Sequence, residues 1–94
     1  MKVVFTDEAL RDLDGIHHFL SQNYPGVMRP FESRLRTILT RIGNWPESAQ
    51  ELVDRPGVRG VPFIRFPYRL FYRVTAGRIE VLHVHHGARD LLDE

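Results

Sequence analysis

Two apolar stripes of helical period fill the first half of the chain, with only Asn23-Tyr24-Pro25-Gly26 between them. Leu10, Leu13, Ile16, His17 and Leu20 recur at spacings of three and four, while Arg11, Asp14 and His18 fall off the stripe. Val27, Phe31, Leu35, Ile38, Leu39 and Ile42 repeat the pattern, closed by Gly43 and by Pro46 just beyond. So short a break predicts two antiparallel helices. Pro30 is the misfit in the second stripe, because it removes a donor and crowds the preceding turn, so that helix is expected to start late or to kink.

Around the hairpin the period changes. Lys2 to Thr6 is short, β-branched and aromatic, and Thr6 followed by Asp7 and Glu8 reads as an N-cap with an acidic first turn. Asn44 to Gly57 has no period and reads as a surface loop anchored by Trp45 and Leu52. Val58 to Phe63 is a short strand with Pro62 near its end. Phe66 to Val74 and Ile79 to His85 form a hairpin around Thr75-Ala76-Gly77-Arg78. The order is βααβββ, an α+β fold in which an N-terminal strand and a helical hairpin pack on one face of a small, mainly antiparallel sheet.

At 94 residues the chain suits one domain, residues 1–94, because a chain this short buries only roughly 60–65% of its unfolded surface. There is no Cys, which excludes a disulfide framework and a thiolate nucleophile. No apolar run approaches membrane-spanning length, the start lacks a signal-peptide core, and a cytoplasmic location is expected. The net charge of +1 is too near neutral to predict nucleic-acid binding from charge alone. Twelve of the thirteen basic residues are nevertheless Arg, with Lys2 the exception. Arginine offers planar, bidentate donors suited to carboxylate or phosphate; an Arg-rich genome explains the bias equally well.

Strict alternation puts Phe66, Tyr68, Leu70 and Tyr72 on the helix-covered face and Arg69, Phe71 and Arg73 on the other. In the last strand it puts Leu82 and Val84 on one side and Ile79, Val81, His83 and His85 on the opposite side. Arg69 and Arg73, joined by Arg89 after the last strand, then concentrate positive charge on one sheet face as a target-binding set. Arg69 is also a candidate ion-pair partner for Glu80 or Asp90. His83 and His85 share a strand face, but no third ligand is spaced nearby, so neither a metal nor another cofactor is expected. His85 and His86 are candidate general acids or bases by their titration near neutral pH, or else packing histidines. Phe19, Tyr24, Val27 and Met28 near the helix turn are candidates for an apolar groove that a partner segment covers, or for closing the core.

PYRLFYRV, a turn and a strand ending HHGARD, preceded by FTDEALRDLD and PFESRLRTI, together resemble the RelE/ParE superfamily of type II toxins, over about Val3 to Asp90. The likeness is stronger to the ParE branch. That branch implies plasmid stabilization, inhibition of DNA gyrase without catalysis, and neutralisation by a cognate ParD-like antitoxin in a toxin–antitoxin hetero-oligomer. The RelE branch implies an endoribonuclease that cuts mRNA on the ribosome. Arg69 and Arg89 match arginines of that nuclease site, with His85 or His86 to move protons. Its lysines have no counterpart here, since Lys2 is the only lysine.

Overall fold

Thr6 turns a strand into a helix within one residue. In the computed structural model, which describes residues 1–86, β1 (Lys2–Phe5) ends beside it and α1 (Asp7–Asn23) begins after it. The Thr6 Oγ1 accepts the Ala9 N–H at 3.2 Å, filling one of the donors a helix start leaves open. The same hydroxyl lies 3.0 and 3.1 Å from the carbonyl oxygens of Val81 and Leu82, to which it donates. One side chain thus caps a helix and ties it to the last strand.

The buried line of α1 is Ala9, Leu13, Ile16 and Leu20. Leu10, predicted on the stripe, is 52% exposed. At about 100° per residue, Ala9 falls at the centre of the stripe and Leu10 at its rim, so the small residue is the one facing the core. A 3₁₀ turn at Pro25–Val27 leads into α2 (Met28–Asn44). Starting at Met28 places Pro30 in the first turn, where its missing donor breaks no intrahelical bond; this is the late start expected of it. Phe31, Ile38 and Ile42 are buried, with Val27, Leu35 and Leu39 packed against them. Among the described residues no helix is long and apolar enough to cross a membrane.

The segment read as a loop contains a strand, β2 (Gln50–Leu52), which pairs antiparallel with β3 (Arg55–Pro62). Three residues are too few for a period to show. Trp45, predicted to anchor this segment, is 64% exposed. The anchors are polar: the Tyr72 hydroxyl donates to the Pro46 carbonyl at 2.6 Å and the Arg59 guanidinium to the Ala49 carbonyl at 2.7 Å. Burial holds the Tyr72 phenol above its ordinary pKa, so it remains a donor.

With β4 (Tyr68–Thr75) and β5 (Arg78–His86), the sheet has order β1-β5-β4-β3-β2. Only the β1–β5 pair is parallel. The α+β reading holds, with five strands in place of four. Two helices lie on one face, where the buried residues form one cluster centred on Phe31, Phe63, Leu70, Tyr72, Ile79 and Val81. Phe31 stacks on Phe63 at 5.2 Å and meets Tyr68 edge-on at 5.8 Å.

The β4–β5 ladder shifts register once. Phe71 pairs with His83 and Tyr72 with Val81, leaving Leu82 as an extra residue. This bulge overturns the strict alternation read along the last strand. Ile79 and Val81 point into the core together with Val84, while His83 and His85 emerge on the opposite face with Phe71.

Candidate functional site

The sheet face away from the core carries Arg69, Phe71, Arg73, Glu80, His83 and His85. Its centre is built from a glycine. Gly60 sits opposite Phe71 on β3, and a Cβ there would come within 2.7 Å of an Arg69 guanidinium nitrogen and 3.3 Å of the Phe71 ring. The missing side chain is the space Arg69 occupies. Its guanidinium also lies 5.2 Å from the centroid of the Phe71 ring, a cation–π contact. Among the described residues no carboxylate pairs with Arg69, so within them this cation is held by a ring and not by a counter-charge. It borders a cleft of about 410 Å³ lined also by Arg41, Ser48, Gln50 and Pro62.

Arg73 is occupied differently. Its Nε donates to Glu80 at 3.0 Å, and Arg78 donates to the other carboxylate oxygen at 2.9 Å. The Arg78 and then the Arg73 hydrogen bond hold the Glu80 carboxyl below its ordinary pKa. Glu80 therefore belongs to these two arginines and not to Arg69. Arg89, the third member of the predicted set, and Asp90 lie outside the described residues.

His83 and His85 stack with ring centroids 4.7 Å apart. The group they meet comes from α1. Asp12 Oδ2 is 3.4 Å from His83 Nδ1 and 3.9 Å from His85 Nδ1, and it accepts the Val84 N–H at 3.1 Å. β1 ends opposite Val81, and beyond that point this carboxylate serves the β5 edge. The third ligand-type group absent from the local spacing is thus supplied by the fold. His86 stands apart, its ring edge-on to Tyr68 at 6.1 Å on the helix side of the sheet.

On that side Phe19, Tyr24 and Val27 line a groove of about 420 Å³ with Phe66, Tyr68 and His86. Phe19 is 50% and Tyr24 58% exposed, and their rings meet at 6.1 Å. Met28, grouped with them from sequence, borders a different hollow beside Asp14 and His18 and packs partly against the core. Sequence reasoning passed over Gly60 and Asp12. An isolated glycine inside a strand does signal close approach of another group. For Asp12, 71 residues from His83, no local signal exists.

The family described as "ParE toxin of type II toxin-antitoxin system, parDE" matches residues 3–91. Toxin RelE2 of Caulobacter vibrioides is 28% identical over 95 residues, covering 94% of this chain and 97% of that protein. Among solved structures, the chromosomal ParDE TA system from P. aeruginosa superposes with a TM-score of 0.75 at 23% identity, covering 92% of this chain and 95% of that one. The RelB–RelE antitoxin–toxin complex from Methanococcus jannaschii follows at 0.62 and 15%, covering 96% and 95%. The YoeB dimer from Staphylococcus aureus gives 0.63 and 16%, covering 88% and 92%. The match along nearly the whole chain decides the family: this chain belongs to the ParE toxin family of type II toxin–antitoxin systems, within the RelE/ParE superfamily.

Proposed function

We infer that this toxin acts by binding DNA gyrase and not by catalysis. The observation that carries the reading is Arg69, whose guanidinium is preset over Phe71 and Gly60 and has no carboxylate partner among the described residues. A held guanidinium loses little entropy on meeting a partner's carboxylate or a DNA phosphate, which suits docking onto a protein–DNA complex. The ParE family match supports the same target. Arg89 joins Arg69 in the proposed contact surface, whereas Arg73 contributes less because Glu80 engages it.

The experiment is expression in cells with two readouts, gyrase-linked DNA breaks and cuts in ribosome-bound mRNA. Breaks without cuts are expected, and cuts without breaks would overturn the reading. Arg89→Ala should weaken toxicity by more than about tenfold, equivalent to roughly 1.4 kcal/mol. One observation favours the ribosome-dependent nuclease instead. His85 lies 3.9 Å from Asp12 and packs 6.2 Å from the Phe71 ring on which Arg69 lies, which brings an imidazole, a carboxylate and a phosphate-binding cation to one sheet face. Loss of toxicity in His85→Ala with an unchanged melting temperature would put that reading first.

An antitoxin partner is proposed for the groove of Phe19, Tyr24 and Val27. The solved relatives named above include a ParDE system and a RelB–RelE complex. An apolar segment laid in the groove would bury these half-exposed rings, with Arg65 at the rim to meet an acidic residue.

A further inference from the structure

We propose that Asp12, His83 and His85 form a site for a divalent transition-metal ion of the zinc type, linking α1 to the bulged half of β5. It does not rest on the gyrase reading. Three features carry it. The donor set is two imidazoles and one carboxylate, which suits zinc and its neighbours in the first transition row and not the all-oxygen cages of magnesium or calcium. The donor atoms already converge, since all three lie within 4.8 Å of one another. A tetrahedral ion with bonds of about 2.0–2.1 Å needs donors about 3.3 Å apart. The Asp12–His83 separation of 3.4 Å meets that requirement as it stands, and the Asp12–His85 separation of 3.9 Å is close to it.

The third feature is that the site is held from behind. The Val84 N–H fixes the Asp12 carboxylate at 3.1 Å, and the Phe71 ring lies 6.2 Å from that of His85. Such outer contacts orient ligands before the ion arrives. Drawing the two imidazole donors, which lie within 4.8 Å of each other, up to about 1.5 Å closer is within the torsional freedom of half-exposed side chains, and the ion then takes the place between them and Asp12. Three protein donors leave a fourth position open to water or to a group from a partner.

The test uses the tag-free, chelator-treated chain, titrated calorimetrically with zinc chloride and melted with and without it. One zinc per chain is expected, with a melting temperature raised by at least about 4 °C in excess metal. His83→Ala and His85→Ala should each weaken binding by at least about tenfold. His18→Ala, on the exposed side of α1, should bind as the parent does, and magnesium chloride should produce no heat. Asp12→Asn keeps an acceptor for Val84 while losing the charge, and it too should bind at least about tenfold more weakly. Should Asp12→Asn fail to fold, the two half-exposed histidines still decide the matter. The proposal is overturned if the parent shows no zinc binding, or if His83→Ala and His85→Ala bind as tightly as the parent.

Discussion

Arg69 and Arg73 lie on the same face of one strand, and a single carboxylate separates their fates. Glu80 engages both Arg73 and Arg78, whereas among the described residues Arg69 meets no carboxylate. Because the Glu80 pKa is lowered in the folded chain, its contribution to stability is present above the unfolded-state pKa and is lost as pH falls through the folded one. Glu80→Gln should therefore melt below the parent at pH 7, with the difference closing below about pH 4; melting curves across pH check this. A second residue-scale prediction concerns the hairpin turn, where Ala76 has φ 46° and Gly77 φ 78°. Both fall in the left-handed region, and nothing crowds Gly77 within 4 Å, so Gly77→Ala tests backbone strain alone. It should cost about 1–2 kcal/mol, whereas Ala76→Asn, better suited to the turn, should raise the melting temperature.

At the scale of elements, the join between α1 and β5 decides what the sheet displays. Thr6 binds the carbonyls of Val81 and Leu82 at the bulge, and Asp12 binds the Val84 N–H just beyond it. Thr6→Ala removes a helix cap and both of those bonds, and should destabilise by about 1–2 kcal/mol in chemical denaturation. Gly60→Ala acts on the opposite side of the sheet. Its methyl would meet the movable end of Arg69 at 2.7 Å and the less movable Phe71 ring at 3.3 Å. The expected result is a folded protein whose toxicity falls toward that of Arg69→Ala, measured as growth inhibition beside thermal melting. Normal toxicity in Gly60→Ala would remove Arg69 from the target surface.

For the whole molecule, the proposed function gives the target the charged face of the sheet and the antitoxin the apolar groove on the helix side. The core between them depends on Phe31, which is fully buried among Phe63, Phe66 and Tyr68. Phe31→Ala should cost about 3–5 kcal/mol, enough to unfold much of a small domain with no disulfide to restrain it. Tyr24→Glu, on the exposed rim of the groove, should instead leave melting unchanged and weaken antitoxin binding by at least about tenfold, measured calorimetrically. Unaltered affinity would place the antitoxin elsewhere.

The helical hairpin, the Thr6 cap, the late start forced by Pro30 and the β4–β5 hairpin were legible in the sequence, because periodicity, capping and turn chemistry act between residues a few positions apart. The inward set of Tyr68, Leu70 and Tyr72 was legible for the same reason. The bulge at Leu82 was not. It depends on where Thr6 and Asp12 meet β5, more than 70 residues along the chain, and it reversed the facing of Ile79 and Val81. β2 was hidden because its three residues pair through backbone and polar contacts without an apolar repeat. The candidate site divides the same way. Arg69 stood out in its strand, but only the folded sheet set it against Gly60, gave Arg73 to Glu80 and brought Asp12 to the two histidines, since side chains on separate elements meet only when packing and strand register place them together.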